Sequence, residues 1–104
     1  MHIKSYLNDL ALEIGITPEK YNVENLTLHL LQSILKDVYG FKVRPVYNAV
    51  DRYWDCRVYT HNDYYNWWIP LDVIRCPYSE TEDAALEYGL NEAMLLIVKK
   101  LHIK

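Results

Sequence analysis

The chain of 104 residues reads as an α+β domain in the order α-β-β-β-α, with one or two leading helices, a three-stranded antiparallel meander and a long closing helix. Three observations predict this. Apolar residues recur at three- and four-residue spacing toward both ends. The period falls to two through the middle. Clusters of turn-forming residues divide that middle into three runs.

From Ser5 to Ile14, Leu7, Leu10, Ala11 and Ile14 share one helical face and Gly15 supplies the stop. Thr17-Pro18-Glu19 is a cap followed by a first-turn proline, which predicts a turn or brief helix. A longer helix is predicted from about Val23 to Tyr39. Leu26, Leu30, Leu31, Ile34, Leu35 and Val38 form its apolar stripe, and Gly40 ends it.

In Tyr53–Thr60 one face carries Trp54, Cys56 and Val58 and the other Tyr53, Asp55, Arg57 and Tyr59. In Tyr65–Leu71 one face carries Trp67, Ile69 and Leu71. Closing a hairpin over His61-Asn62-Asp63-Tyr64 sets Val58 against Trp67, Cys56 against Ile69 and Trp54 against Leu71, all apolar pairs. Phe41–Tyr47 makes the remaining strand, with a register the sequence does not fix. Proline cannot donate to a ladder, so Pro45 in the first strand and Pro70 in the third place the proline-free second strand in the centre.

The closing helix is predicted from about Glu80 to Leu101, with Ser79-x-x-Glu82 as a capping box. Acids crowd its first half and Lys99 and Lys100 its end, as the helix dipole favours. Leu86, Leu90, Ala93, Met94, Ile97 and Leu101 form its buried stripe. Gly89 lies beside the stripe although glycine costs up to about 1 kcal/mol against alanine, which predicts close approach of helix to sheet. One domain spans 1–104. The sequence leaves two placements for residues 1–20: against the core, or as a peripheral helical arm over the sheet's free face.

The element order is similar to that of double-stranded-RNA-binding domains. Those domains carry a lysine-rich cluster at the start of the last helix, whereas here that position reads Ser79-Glu80-Thr81-Glu82-Asp83. Three acids would repel a phosphate backbone, so the function is not expected to follow the topology. The stretch from Tyr78 to Ile97 (YSETEDAALEYGLNEAMLLI) resembles the acidic closing helix of small uncharacterised proteins of gut bacteria and their phages. That resemblance implies the fold and a mobile-element origin, and it carries no activity.

Ordinary globular composition and a single-domain length describe the chain as a whole. No apolar run approaches the ~20 residues of a membrane-spanning helix, and the N-terminus lacks a signal pattern, so a cytoplasmic location is expected. A net charge of −3 argues against general affinity for nucleic acid or anionic lipid. The hairpin register sets Cys76 roughly 23 Å beyond Cys56, too far for a disulfide, and both are expected as thiols with Cys56 filling the core.

Chemistry-bearing patterns are sparse. His2, His29, His61 and His102 include no pair at metal-ligand spacing, and the cysteines form no C-x-x-C. His61 and Asp63 share the predicted hairpin loop but bring no third ligand. There is no nucleophile elbow, no phosphate-binding glycine loop and no H-E-x-x-H. Asp51 and Asp55 would lie about 13 Å apart on a strand, too far for an acid pair. Neither a metal, a cofactor nor an enzymatic activity is expected.

The outer sheet face is the candidate site. Of the chain's 14 aromatic residues, ten lie between Phe41 and Tyr78, more than one small core can hold. With Trp54, Cys56, Val58, Trp67, Ile69 and Leu71 turned to the helices, the opposite face presents Tyr53, Arg57, Tyr59 and Trp68. Lys42 and Arg44 join them if Phe41 and Val43 point inward. Arg57 is expected opposite Trp68 as a cation–π pair. Cross-strand aromatics also stabilise a sheet without binding anything. Tyr, Trp and Arg are nonetheless the residues enriched at interface hot spots, which favours a protein partner or a second copy of the chain. Single-stranded nucleic acid is the alternative, with bases stacked on the rings and phosphates met by Lys42, Arg44, Arg52 and Arg57. A carbohydrate would use the aromatics but not the arginines.

Overall fold

The computed structural model describes residues 3–71 and 78–102. They form α1 (Ser5–Glu13), a 3₁₀ turn (Glu19–Tyr21), α2 (Leu28–Asp37), β1 (Phe41–Asn48), β2 (Tyr53–Asn62), β3 (Trp67–Pro70) and α3 (Glu82–His102). The strands make one antiparallel sheet ordered β1-β2-β3. The α+β order expected from the sequence is thus present, with β2 central. Among the described residues no helix is long and apolar enough to cross a membrane.

Two helix starts differ from expectation. α2 begins at Leu28, five residues late, because Thr27 caps it: the hydroxyl oxygen accepts from the Leu30 N–H at 3.1 Å. Asn22 takes a left-handed conformation (φ 56°) that ends the preceding 3₁₀ turn. Leu26 still enters the core, 3% exposed, from the preceding loop. At α3 the capping residue is Thr81, whose side chain accepts from the Ala84 N–H at 3.1 Å, and not Ser79. The Ser79 backbone is already committed to an isolated antiparallel bridge with Trp54, through bonds of 2.7 and 2.9 Å.

The β2–β3 hairpin closes farther along the chain than predicted. Tyr59 faces Pro70, Thr60 faces Ile69, His61 faces Trp68 and Asn62 faces Trp67. The expected pairs of Val58 with Trp67, Cys56 with Ile69 and Trp54 with Leu71 therefore do not form. Instead Leu71 N–H bonds the Val58 carbonyl at 2.8 Å. Asn62 drives the change by accepting the Tyr65 N–H on its side-chain oxygen at 3.0 Å, and Asn66 turns left-handed at φ 56°. Each β2 residue shifts partner by four. An even shift leaves every side chain on its predicted face.

The prolines explain the sheet's edges. The His61 N–H bonds the Gly40 carbonyl, so even-numbered β1 residues exchange bonds with β2 and odd-numbered ones point their backbone outward. Pro45 sits at one of those outward positions, where its missing N–H costs no ladder bond. Pro70 holds the equivalent place on β3. Gln32 covers another edge position by donating its Nε2–H to the Val43 carbonyl at 2.7 Å. Both free edges are blunted against a further strand.

The helices pack on the sheet face that carries Phe41, Val43, Cys56 and Val58, all buried. α3 lies across β1 and β2, α2 covers β1, and α1 packs on α3. Leu86, Leu90, Ala93 and Met94 are fully buried. The leading segment joins the same core through Leu7, Ala11, Ile14 and Ile16, on the helix side of the sheet. Cys56 is 4% exposed and fills space beneath Gly89; Cys76 lies outside the described residues. Lys4 Nζ meets Glu87 at 3.1 Å, and that carboxylate holds the Lys4 ammonium above its ordinary pKa through their hydrogen bond and charge attraction.

The Tyr39 hydroxyl donates to the Ile14 carbonyl at 2.7 Å and ties the end of α2 to the end of α1. Burial, seconded by Tyr21, raises its pKa above the ordinary value near 10. Tyr39→Phe should lower unfolding stability by about 0.5–1.5 kcal/mol at neutral pH. The raised pKa adds stability below the unfolded-state value, and that contribution is lost as pH climbs through the folded-state value. Denaturant titrations at pH 7 and above 10 should therefore show the wild-type advantage shrinking in alkali. An equal difference at both would show that the hydroxyl's ionisation is not linked to folding.

Candidate functional site

Strand register places Lys42, Arg44, Val46 and Asn48 of β1, Tyr53, Asp55, Arg57, Tyr59 and His61 of β2, and Trp68 of β3 on the face opposite the helices. The sequence-predicted residues Tyr53, Arg57, Tyr59, Trp68, Lys42 and Arg44 thus share one face. They do not form one cluster. Lys42 faces Tyr59 directly and Arg44 faces Arg57. Trp68 joins them through Lys42, whose ammonium lies 6.0 Å from the ring centroid. Tyr53 sits four residues from Arg57, about 13 Å along the strand. There its ring stacks on Tyr78 at 3.9 Å and its hydroxyl accepts from Asn48 at 3.3 Å. Hydrogen bonding with Tyr78, then burial, raises the Tyr53 pKa, and Asn48 opposes the change.

The expected Arg57–Trp68 pair is replaced by two other contacts. His61 is the residue across from Trp68, with ring centroids 5.0 Å apart in an edge-on arrangement. Lys42 supplies the cation. The physical reason is the four-residue shift of the hairpin, which carries Trp68 past Arg57. His61 Nδ1 also lies 2.8 Å from Asp63 Oδ1, the contact their shared loop suggests. No third ligand joins them: among the described residues no group of three metal-ligating side chains occurs.

Arg57 instead confronts Arg44. Like charges directly across a ladder are destabilising by a few tenths of a kcal/mol or more. Both arginines are exposed, and among the described residues neither has an ion pair or hydrogen bond with another side chain. Asp55, two residues along the same face, accepts from its own neighbour's Cys56 N–H at 2.7 Å. The middle of the face is therefore a small basic field in an acidic chain.

A second aromatic group was not legible as a unit. Tyr64, Tyr65 and Trp67 form a ladder at the hairpin tip, with Tyr64 edge-on to Tyr65 at 4.8 Å and Tyr65 stacked on Trp67 at 5.3 Å. Trp67 and Ile69 were expected beneath the helices. They keep that face, but they pair with Asn62 and Thr60, beyond the buried Val58, and are 58% and 36% exposed. Among the described residues, two open hollows flank the basic field. The larger, about 600 Å³, mixes Lys36 and Lys100 with Asp37 and Asp63. The smaller, about 240 Å³, lies between α2 and β1 and has no acid in its lining.

No protein-family model, curated protein or solved structure matches the chain.

Proposed function

We propose that the chain is a small protein-interaction module that engages a partner, or a second copy of itself, with the sheet face its helices leave uncovered. One observation carries the reading: Arg44 stands directly across from Arg57 on that face, beside Lys42 and Tyr59, with Trp68 joined through the Lys42 ammonium. An arrangement that costs the isolated fold stability and leaves two arginines with no side-chain partner among the described residues is better suited to a bound state than to a free one. The flanking aromatics supply the rigid area typical of interface anchors. The blunted edges argue that docking occurs through side chains of the face and not by adding a strand.

Single-stranded nucleic acid could use the same rings and charges. The basic field is short for that purpose. Lys42 and Arg44 are two residues, ~7 Å, apart along β1, and Asp55 follows on the same face. A polymer with a phosphate at every step would meet acids at once.

Trp68→Ala combined with Arg57→Ala tests the proposal. The double variant should fold, with unfolding stability within about 1 kcal/mol of wild type, since one residue is exposed and the other only part-buried. It should lose at least tenfold in affinity for a partner recovered by pull-down, or in self-association by sedimentation. Unchanged binding by the folded double variant would remove the proposed site. Tryptophan quenching by short single-stranded DNA or RNA that weakens with added salt would promote nucleic acid in its place.

A further inference from the structure

We infer that the smaller hollow, between α2 and β1, is an anion site for one doubly charged oxyanion of the phosphoryl class. Gln32, Ser33 and Lys36 of α2 and Lys42, Val43 and Arg44 of β1 line it. Three of the six are cationic and none is acidic. Arg57 extends the charge from directly across Arg44. Four cations thus crowd a small region of a chain whose net charge is −3. Among the described residues the ion pairs are Lys4–Glu87 and His61–Asp63, both elsewhere. The inference rests on the outward orientation of Arg44 and Arg57 used above, but needs no protein partner.

Ligand class follows from charge and donor geometry. One carboxylate would neutralise one of four cations and leave the rest repelling one another. A phosphoryl group brings up to two charges and three acceptor oxygens. Arg44 can meet two of those oxygens with its planar fork, Lys36 acts as a point charge, and the Ser33 hydroxyl is a further donor, while the Lys42 ammonium, resting over Trp68, adds charge from farther off. The site is also held in shape, because Gln32 fastens α2 to the Val43 carbonyl at 2.7 Å. Pre-positioned donors reduce the ordering cost of binding. The surrounding acids limit the site's length. Asp37 follows Lys36 and lines the other hollow with Asp63 of the hairpin loop, and Asp55 lies two residues from Arg57 on the outer face.

The test uses the full chain, labelled for amide NMR, with four probes: phenyl phosphate, a phosphoserine hexapeptide, its unphosphorylated form and decathymidylate. Phenyl phosphate should produce saturable shifts centred on Lys36, Val43 and Arg44, with affinity falling as salt rises. Lys36→Gln with Arg44→Gln should weaken this at least tenfold while the remaining spectrum shows an intact fold. Phosphopeptide binding at least tenfold tighter than phenyl phosphate would identify a protein-borne phosphoryl group, and similar affinities a free phosphate ester. The assignment is overturned by shifts that do not saturate or lie elsewhere, by equal binding of the unphosphorylated peptide, by unchanged affinity in the double variant, or by decathymidylate outcompeting both phosphate probes. Binding of phenyl phosphate with no effect of Trp68→Ala/Arg57→Ala on any protein partner would retain the anion site and remove only the interaction-module reading.

Discussion

Gly89→Ala should destabilise the domain even though alanine is the better helix former. A Cβ built at this position meets Cys56 Sγ at 2.2 Å and Val43 Cγ1 at 2.6 Å. Both obstacles belong to short side chains that are themselves buried, at 4% and 1% exposure, so neither can swing clear. Either α3 lifts from the sheet or β1 and β2 bend away, and such overpacking costs about 1–3 kcal/mol. Alanine recovers up to about 1 kcal/mol of helix propensity. We expect a net loss of about 1–2 kcal/mol, or a Tm lower by roughly 5–15 °C, and a larger loss for Gly89→Val. Cys56→Ala removes the nearer obstacle. The double variant Gly89→Ala/Cys56→Ala should therefore be more stable than the sum of its parts by ~0.5–3 kcal/mol. A Gly89→Ala protein more stable than wild type would show that α3 does not approach the sheet this closely.

That close approach is also the clearest case of structure legible in sequence. A glycine beside an apolar helical stripe breaks a local preference, and close packing is the usual compensation. The prolines were legible for a similar reason. A residue without an N–H can occupy only outward-facing ladder positions, so Pro45 and Pro70 identified both edges and β2 as the centre. Face assignment survived a wrong register because both hairpin closures keep the two-residue parity. The closure itself was not legible. His61-Asn62-Asp63-Tyr64 and Asp63-Tyr64-Tyr65-Asn66 both have turn chemistry, and the choice depends on the Asn62 side chain capping Tyr65 and Asn66 accepting a positive φ. Periodicity likewise overran at α2. Leu26 is in phase with the helical stripe and is buried, yet it precedes the Thr27 cap.

The candidate site followed the same division. Membership of the outer face depends only on parity, and Lys42, Arg44, Tyr53, Arg57, Tyr59 and Trp68 all have it. Neighbours within the face depend on register, which the sequence left open for β1 and misplaced for β3. The Arg44–Arg57 opposition could be found only from the β1–β2 register. The α2–β1 hollow needed the tertiary placement of a helix against an edge strand.

Leu7→Ala should be the most costly of the simple truncations in the leading helix, at about 2–5 kcal/mol. α1 has only nine residues, too few to be helical alone in water. Its Lys4 cap residue makes no side-chain capping bond, and its ion pair with Glu87 is a surface contact of small worth. What holds it is apolar packing, and Leu7 and Ala11 are completely enclosed against α3. Leu12 provides the internal control, being the same residue type on the same helix at 64% exposure. Leu12→Ala should change stability by no more than about 0.5 kcal/mol. Denaturant unfolding of the two variants reads the contrast, and hydrogen exchange shows its mechanism. In Leu7→Ala the amides of Ser5–Glu13 should lose protection together with those of α3, because the anchor is shared by both helices. Loss confined to α1, with a total cost below about 1 kcal/mol, would mean that the helix docks on a core able to stand without it.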